Sequence, residues 1–187
     1  KSFEYVTILL SIMLGFCFTQ MASNFVLVVQ HFHVSNLYAP SILWNAAAMV
    51  ALLAHWVNFH KAGKVEKWSA LQLTIVFLAP LIYFIPAQLL TQSPLIDGKL
   101  DFEVMFESNK NLIYGSIVLF VLCTMAQYFF VYNSRNKFVY SYYATAIVVV
   151  VVVWLSHSKM LDHILAGGIV ISEILNHYFI NRMRLDE

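Results

Sequence analysis

Six apolar runs, each near the length needed to cross a bilayer, follow one another along 187 residues with little between them. A hydrocarbon core of about 30 Å takes roughly 20 helical residues, so runs at residues 4–30, 39–59, 68–91, 111–132, 138–156 and 161–181 use up nearly the whole chain. Only 11% of the residues are charged and 60% are hydrophobic, against roughly 25% charged in soluble domains. Backbone groups in lipid must be satisfied within a helix or a closed barrel, and these runs lack a barrel's alternation. The expected fold class is therefore all-α, a six-helix transmembrane bundle forming one domain over residues 1–187. The run IVVVVVVW (Ile147 to Trp154) would favour a strand in water, but its flanks extend it to spanning length and the bilayer overrides that propensity.

Orientation follows from the basic residues. With six spans, Lys1, Lys61, Lys64, Lys67, Arg135, Lys137, Arg182 and Arg184 fall on one side, and Lys99, Lys110 and Lys159 on the other. The positive-inside rule then places both termini in the cytoplasm and the long third connection, residues 92–110, outside. Within it, LDFEVMFES has the mix of apolar and acidic residues of a short surface-lying helix; an ordered loop capping the bundle is the alternative. Trp44, Trp56, Trp68 and Trp154 all fall near span ends, where amphipathic rings prefer the headgroup zone.

A net charge of +1 gives no field for nucleic acid. Cys17 and Cys123 both fall in mid-span, where a thiol packs as a small hydrophobe. The chain opens on Lys1, which reads as a trimmed start, and the first span is too long and too mixed for a cleavable signal.

On the first span Thr7, Ser11, Gly15, Thr19 and Ser23 recur every fourth residue, a row along one helix face. Small side chains let membrane helices approach closely, so the row predicts close packing within the chain or between copies, with a polar pathway as the sharper alternative. The endings HWVNFHK (from His55) and WLSHSK (from Trp154) are faintly alike, as an inverted three-helix repeat would require; chance similarity of aromatic helix ends explains them as well.

Ionisable groups inside a bilayer cost about 2.5–3.5 kcal/mol each on insertion scales and face protein or water. Glu173 and His177, one turn apart on the last span with Asn176 between them, form a candidate proton or cation station, or else a structural hydrogen bond locking that helix. Glu4 and His55 are expected at a similar depth, completing an inner polar cluster. Glu4 is equally explained by the helix dipole, and His55 by an interfacial position. On the outer side the topology gathers His31, His33, His157, Asp162 and His163, residue types that ligate zinc or copper. A b-type haem would need two facing histidines, and His55 with His177 is the pair to test. Phosphate loops, nucleophile elbows and HExxH are absent from the sequence.

The segments FEYVTILLSIMLG (Phe3 to Gly15), YAPSILW (Tyr38 to Trp44) and HW at His55–Trp56 resemble a group of small bacterial integral membrane proteins that begin FEY-x-x-IL-x-SI-x-LG and carry Y-x-P-x-x-LW at the second span. The likeness covers mainly the first ninety residues. It implies a bacterial inner (cytoplasmic) membrane location and carries no activity or catalytic residue.

The function expected is an oligomeric proton or small-ion channel or transporter, more a conduit than an enzyme. The alternatives are a non-transporting subunit or scaffold of a larger complex, and a haem- or metal-binding redox protein. The expected partners are membrane lipid and either further copies of the chain or a larger membrane complex. No cofactor is expected on the first reading.

Overall fold

The computed structural model describes residues 2–31, 33, 36–59, 65, 68–91, 95–96, 99–134 and 136–182, with backbone alone at 2–3, 87, 90–91, 95–96, 99–100 and 173–182. Six helices make the fold: α1 (Ser2–Gln30), α2 (Ala39–Phe59), α3 (Ala70–Thr91), α4 (Phe102–Phe130), α5 (Lys137–Ser156) and α6 (Lys159–Arg182). A two-residue antiparallel ladder, β1 (Leu95–Ile96) on β2 (Lys99–Leu100), joins α3 to α4. α1, α2, α4 and α5 are long and apolar enough to cross a membrane, and their outer faces carry exposed Ile8, Ile12 and Phe16 on α1 and Val148, Val152 and Leu155 on α5. So much exposed apolar surface is untenable in water, and it marks a membrane-embedded protein.

The helices alternate in direction. One end of the bundle, here the hairpin end, holds β1–β2 and the α5–α6 turn; the other, the terminal end, holds the start of α1. α1 packs on α2 and α3, α3 on α4, α4 on α5, α5 on α6, and α6 on α2, so the helices close into a ring. α1 contributes the stripe Val6, Leu10, Leu14, Cys17, Met21 and Asn24, buried at spacings of three and four, which is the period of one helical face. That stripe lies beside the small-residue row. Gly15, Thr19 and Ser23 are exposed, and a Cβ added at Gly15 would meet no atom within 4 Å. Thr7 and Ser11 of the same row are half-buried, and Ser11, Gly15 and Thr19 line a groove with Leu52, Leu53 and Trp56 of α2.

Two elements have visible local causes. α3 contains Pro80 and Pro86, each of which removes a helical N–H and crowds the preceding turn; one turn before Pro80, the buried Gln127 side chain of α4 donates to Ile75 O at 3.2 Å. α4 starts nine residues before the expected 111, because Asp101 caps it. Its Oδ1 accepts from Glu103 N and Val104 N, both at 3.0 Å, and the helix then buries Phe102, Met105, Phe106, Ile113, Tyr114 and Ile117. The expected loop at 92–110 is thus helix from Phe102 onward, and within LDFEVMFES the residues after the Asp101 cap become the first turns of α4 instead of a separate surface helix. Asn36 ties this start to the end of α1: its Nδ2 donates to the Asp101 carboxylate and its carbonyl accepts from Phe102 N. A 29-residue helix is about 43 Å long, so α4 outruns the hydrocarbon core and carries its acidic first turns to the hairpin end.

Candidate functional site

The longer α4 carries Lys110 into the bundle. Counted in the sequence as an outer-loop charge, Lys110 has a side chain only 7% exposed, and its Nζ donates to Asp162 Oδ2 at 2.6 Å. Asp162, on the first turn of α6, has a side chain with no exposed surface. Its second oxygen, Oδ1, accepts from the Tyr114 hydroxyl at 2.6 Å. Lys110 and Tyr114 are four apart on α4 and therefore share a face, and one carboxylate across the helix interface takes both donors. Burying an ion pair is repaid only when the remaining lone pairs are also satisfied, and Tyr114 satisfies them.

Further polar groups crowd the same place. Glu107, one turn before Lys110, has its Oε2 4.0 Å from Lys110 Nζ. Tyr38, at the entry to α2, places its hydroxyl close to Glu107 without reaching hydrogen-bond geometry; burial, and then the charges of Asp162, Glu107 and Glu103, push its phenol well above the usual tyrosine range. Trp44 meets Tyr114 edge-on, with ring centroids 5.8 Å apart. Its Nε1 lies near the Tyr114 hydroxyl but makes no hydrogen bond. Tyr38 Oη, Trp44 Nε1 and Glu107 Oε1 are all buried atoms with no hydrogen-bond partner. Lys159, paired with Glu103, covers the outside. Asp162, Glu107 and Lys110 together carry two carboxylates to one ammonium, so ionised they leave one negative charge.

Beyond Trp44 the interior opens into a cavity of about 90 Å³ between α2, α4, α5 and α6. Its lining runs from Trp44, Ile117 and Val150 toward the terminal end at Asn58, Tyr132 and Tyr142, and Tyr83 of α3 joins its wall. His55, Thr124, Gln127 and Ser172 supply polar atoms along the way. His55 is buried, its ring lies 6.2 Å from that of Phe120, and its Nε2 has no hydrogen-bond partner. Trp44 thus separates the ion pair from the cavity, contributing to both.

The residues singled out in the sequence fall as follows. The side chains of Glu173, Asn176 and His177 lie outside the described residues, and so does the pairing of His177 with His55 as a proton station or as haem ligands. Glu4 is exposed on the first turns of α1, while His55 is buried in the cavity, so these two do not share one environment. The five outer residues expected as metal ligands are not gathered: among the described residues no three of His, Cys, Asp and Glu come together to hold a metal. Asp162 faces inward to Lys110 and Tyr114. His157 is an exposed α5 C-cap in the left-handed region at φ 51°. His163 engages Lys159 O through Nδ1 and stands edge-on to Tyr38, and His31 folds back on Leu27 O of its own helix. His33 is exposed. Trp44, expected at the headgroups, is a core residue.

Lys110, Tyr114, Glu107 and Tyr38 were not singled out in the sequence. The signal for them was there: Asp101 followed by apolar residues at 102, 105, 106, 113, 114 and 117 is an N-cap ahead of a helical stripe, and extending the helix over it puts Lys110 inside. Comparison with protein-family models, with curated proteins and with solved structures gives no match to this chain.

Proposed function

We propose that the chain is a membrane conduit for protons or small ions, with a pathway inside a single bundle. The polar cavity is its reservoir on the terminal side, and the Lys110–Asp162–Tyr114 cluster, with Trp44 beneath it, is its closed gate on the hairpin side. The observation that carries this reading is a buried carboxylate–ammonium pair set directly over a polar cavity in a mostly apolar bundle. Charges so placed are costly and mark ion or proton routes in membrane proteins. The basic residues of the terminal side support a cytoplasmic terminal end, and the likeness to small bacterial membrane proteins supports a bacterial inner membrane. The exposed part of the small-residue row, Gly15, Thr19 and Ser23, is the surface on which a second copy would pack.

One observation favours a scaffold subunit instead: both Asp162 oxygens are engaged, as in a static clip between α4 and α6. Flux separates the two readings. In sealed vesicles containing the purified chain, a conduit passes protons or monovalent cations down a gradient, and Asp162→Asn, which weakens the clasp on Lys110, changes that rate at least tenfold. A chain that passes neither is a scaffold.

A further inference from the structure

We infer that the permeant species is the proton, relayed through His55 at the heart of the cavity, and that metal cations are excluded. This inference rests on the conduit reading above and deepens it. Three observations carry it: the size of the cavity, the chemistry of its wall, and the unpartnered imidazole nitrogen.

A cavity of about 90 Å³ holds a short row of waters, each needing at least about 10–15 Å³ of such space. A hydrated metal ion brings a shell of about six oxygen ligands. To enter, it would have to shed most of that shell and find replacement ligands in the wall. Among the described lining residues there is no carboxylate, lysine or arginine; the oxygens offered are neutral phenols, hydroxyls and amides, so nothing on the described wall balances the charge of a dehydrated ion. A proton needs only a short hydrogen-bonded row and one group that can accept and return it.

His55 is that group. Its ring lines the cavity and its Nε2 is buried without a protein partner, the kind of polar atom that an internal water usually satisfies. Among the described residues, the other titratable groups on that wall are Tyr83 of α3, Tyr128 and Tyr132 at the end of α4, and Tyr142 and Tyr143 of α5, and α6 contributes Ile169 and Ser172. Among the described lining residues, then, imidazole alone offers a basic ring nitrogen that can take up a proton and return it. The proton balance is simple: a cavity water gives a proton to Nε2, the imidazolium returns it to a water further along, and the ring ends neutral. On the far side of Trp44 the Lys110–Asp162–Tyr114 cluster is what the proton passes when the gate opens.

The test uses the full chain in sealed vesicles, with an internal pH dye for protons and radioactive sodium and rubidium for cations. The expected result is proton flux without sodium or rubidium flux, cut at least tenfold in His55→Gly and restored by free imidazole filling the vacated space. Should His55→Gly fail to fold, His55→Gln is expected to fold and to lose the flux. Proton flux unchanged in a folded His55→Gln overturns the relay. Sodium or rubidium passing as fast as protons overturns the proton assignment and leaves the conduit reading standing. No flux of any of the three in the unaltered protein overturns the conduit reading itself, and the relay with it.

Discussion

Asp162 engages an ammonium with one oxygen and a phenol with the other, out of reach of solvent. Removing one member of such a cluster strands a buried charge, which typically costs about 3–5 kcal/mol, whereas replacing the pair with apolar groups of similar volume is often neutral or stabilising. Thermal unfolding in detergent should therefore show Asp162→Ala strongly destabilised, and the double variant Asp162→Leu with Lys110→Met recovering most of the loss. Equal losses in the single and double variants would mean that the two side chains do not act as a pair. Asp101 makes a smaller, pH-dependent contribution. The Val104 N–H, followed by Asn36 and the Glu103 N–H, holds its carboxyl below the usual carboxylate range, with slight burial opposing. A depressed folded-state pKa stabilises above the unfolded value of about 3.9 and ceases to as pH falls through the folded value. Melting temperature should therefore drop as the medium is acidified below about pH 4, and less so in Asp101→Asn. Asp101→Ala should cost about 1 kcal/mol at neutral pH.

At the scale of the helix, α1 has two faces with different duties: the stripe from Val6 to Asn24 packs the bundle, and the small-residue row looks outward. Gly15→Leu should accordingly leave the bundle's melting temperature nearly unchanged, since nothing lies within 4 Å of the added Cβ. It should also abolish self-association measured by light scattering in detergent, without altering flux per chain, because the cavity lies within one copy. The sequence carried the helices well where hydrophobicity alone defines them; α2 and α5 begin and end within a residue of the expected spans. It failed at α4, where span length was measured from the hydrocarbon core and the amphipathic turns from Phe102 to Lys110 were counted as loop. That one boundary hid most of the candidate site. Lys110 became a solvated charge, Asp162 lost its partner and was grouped with surface histidines, and Trp44 was assigned to the headgroups. His55 was legible as a costly polar residue, but the cavity around it depends on which faces of four helices meet, and hydropathy along one chain does not encode that.

For the molecule as a whole, the described helices leave an internal space with unlike ends: Trp44, Tyr114 and a charged clasp at the hairpin end, and tyrosines, Asn58 and Ser172 toward the terminal end. Asymmetric access is the central claim, and it can be measured without knowing what permeates. Ala54 lines the cavity, so in a chain carrying Cys17→Ala and Cys123→Ala, the variant Ala54→Cys places a single thiol on its wall. Exposed in sealed vesicles to a charged, membrane-impermeant thiol reagent, this residue should react from the terminal side and be protected from the hairpin side. Labelling from the hairpin side, or from neither side, would contradict the account.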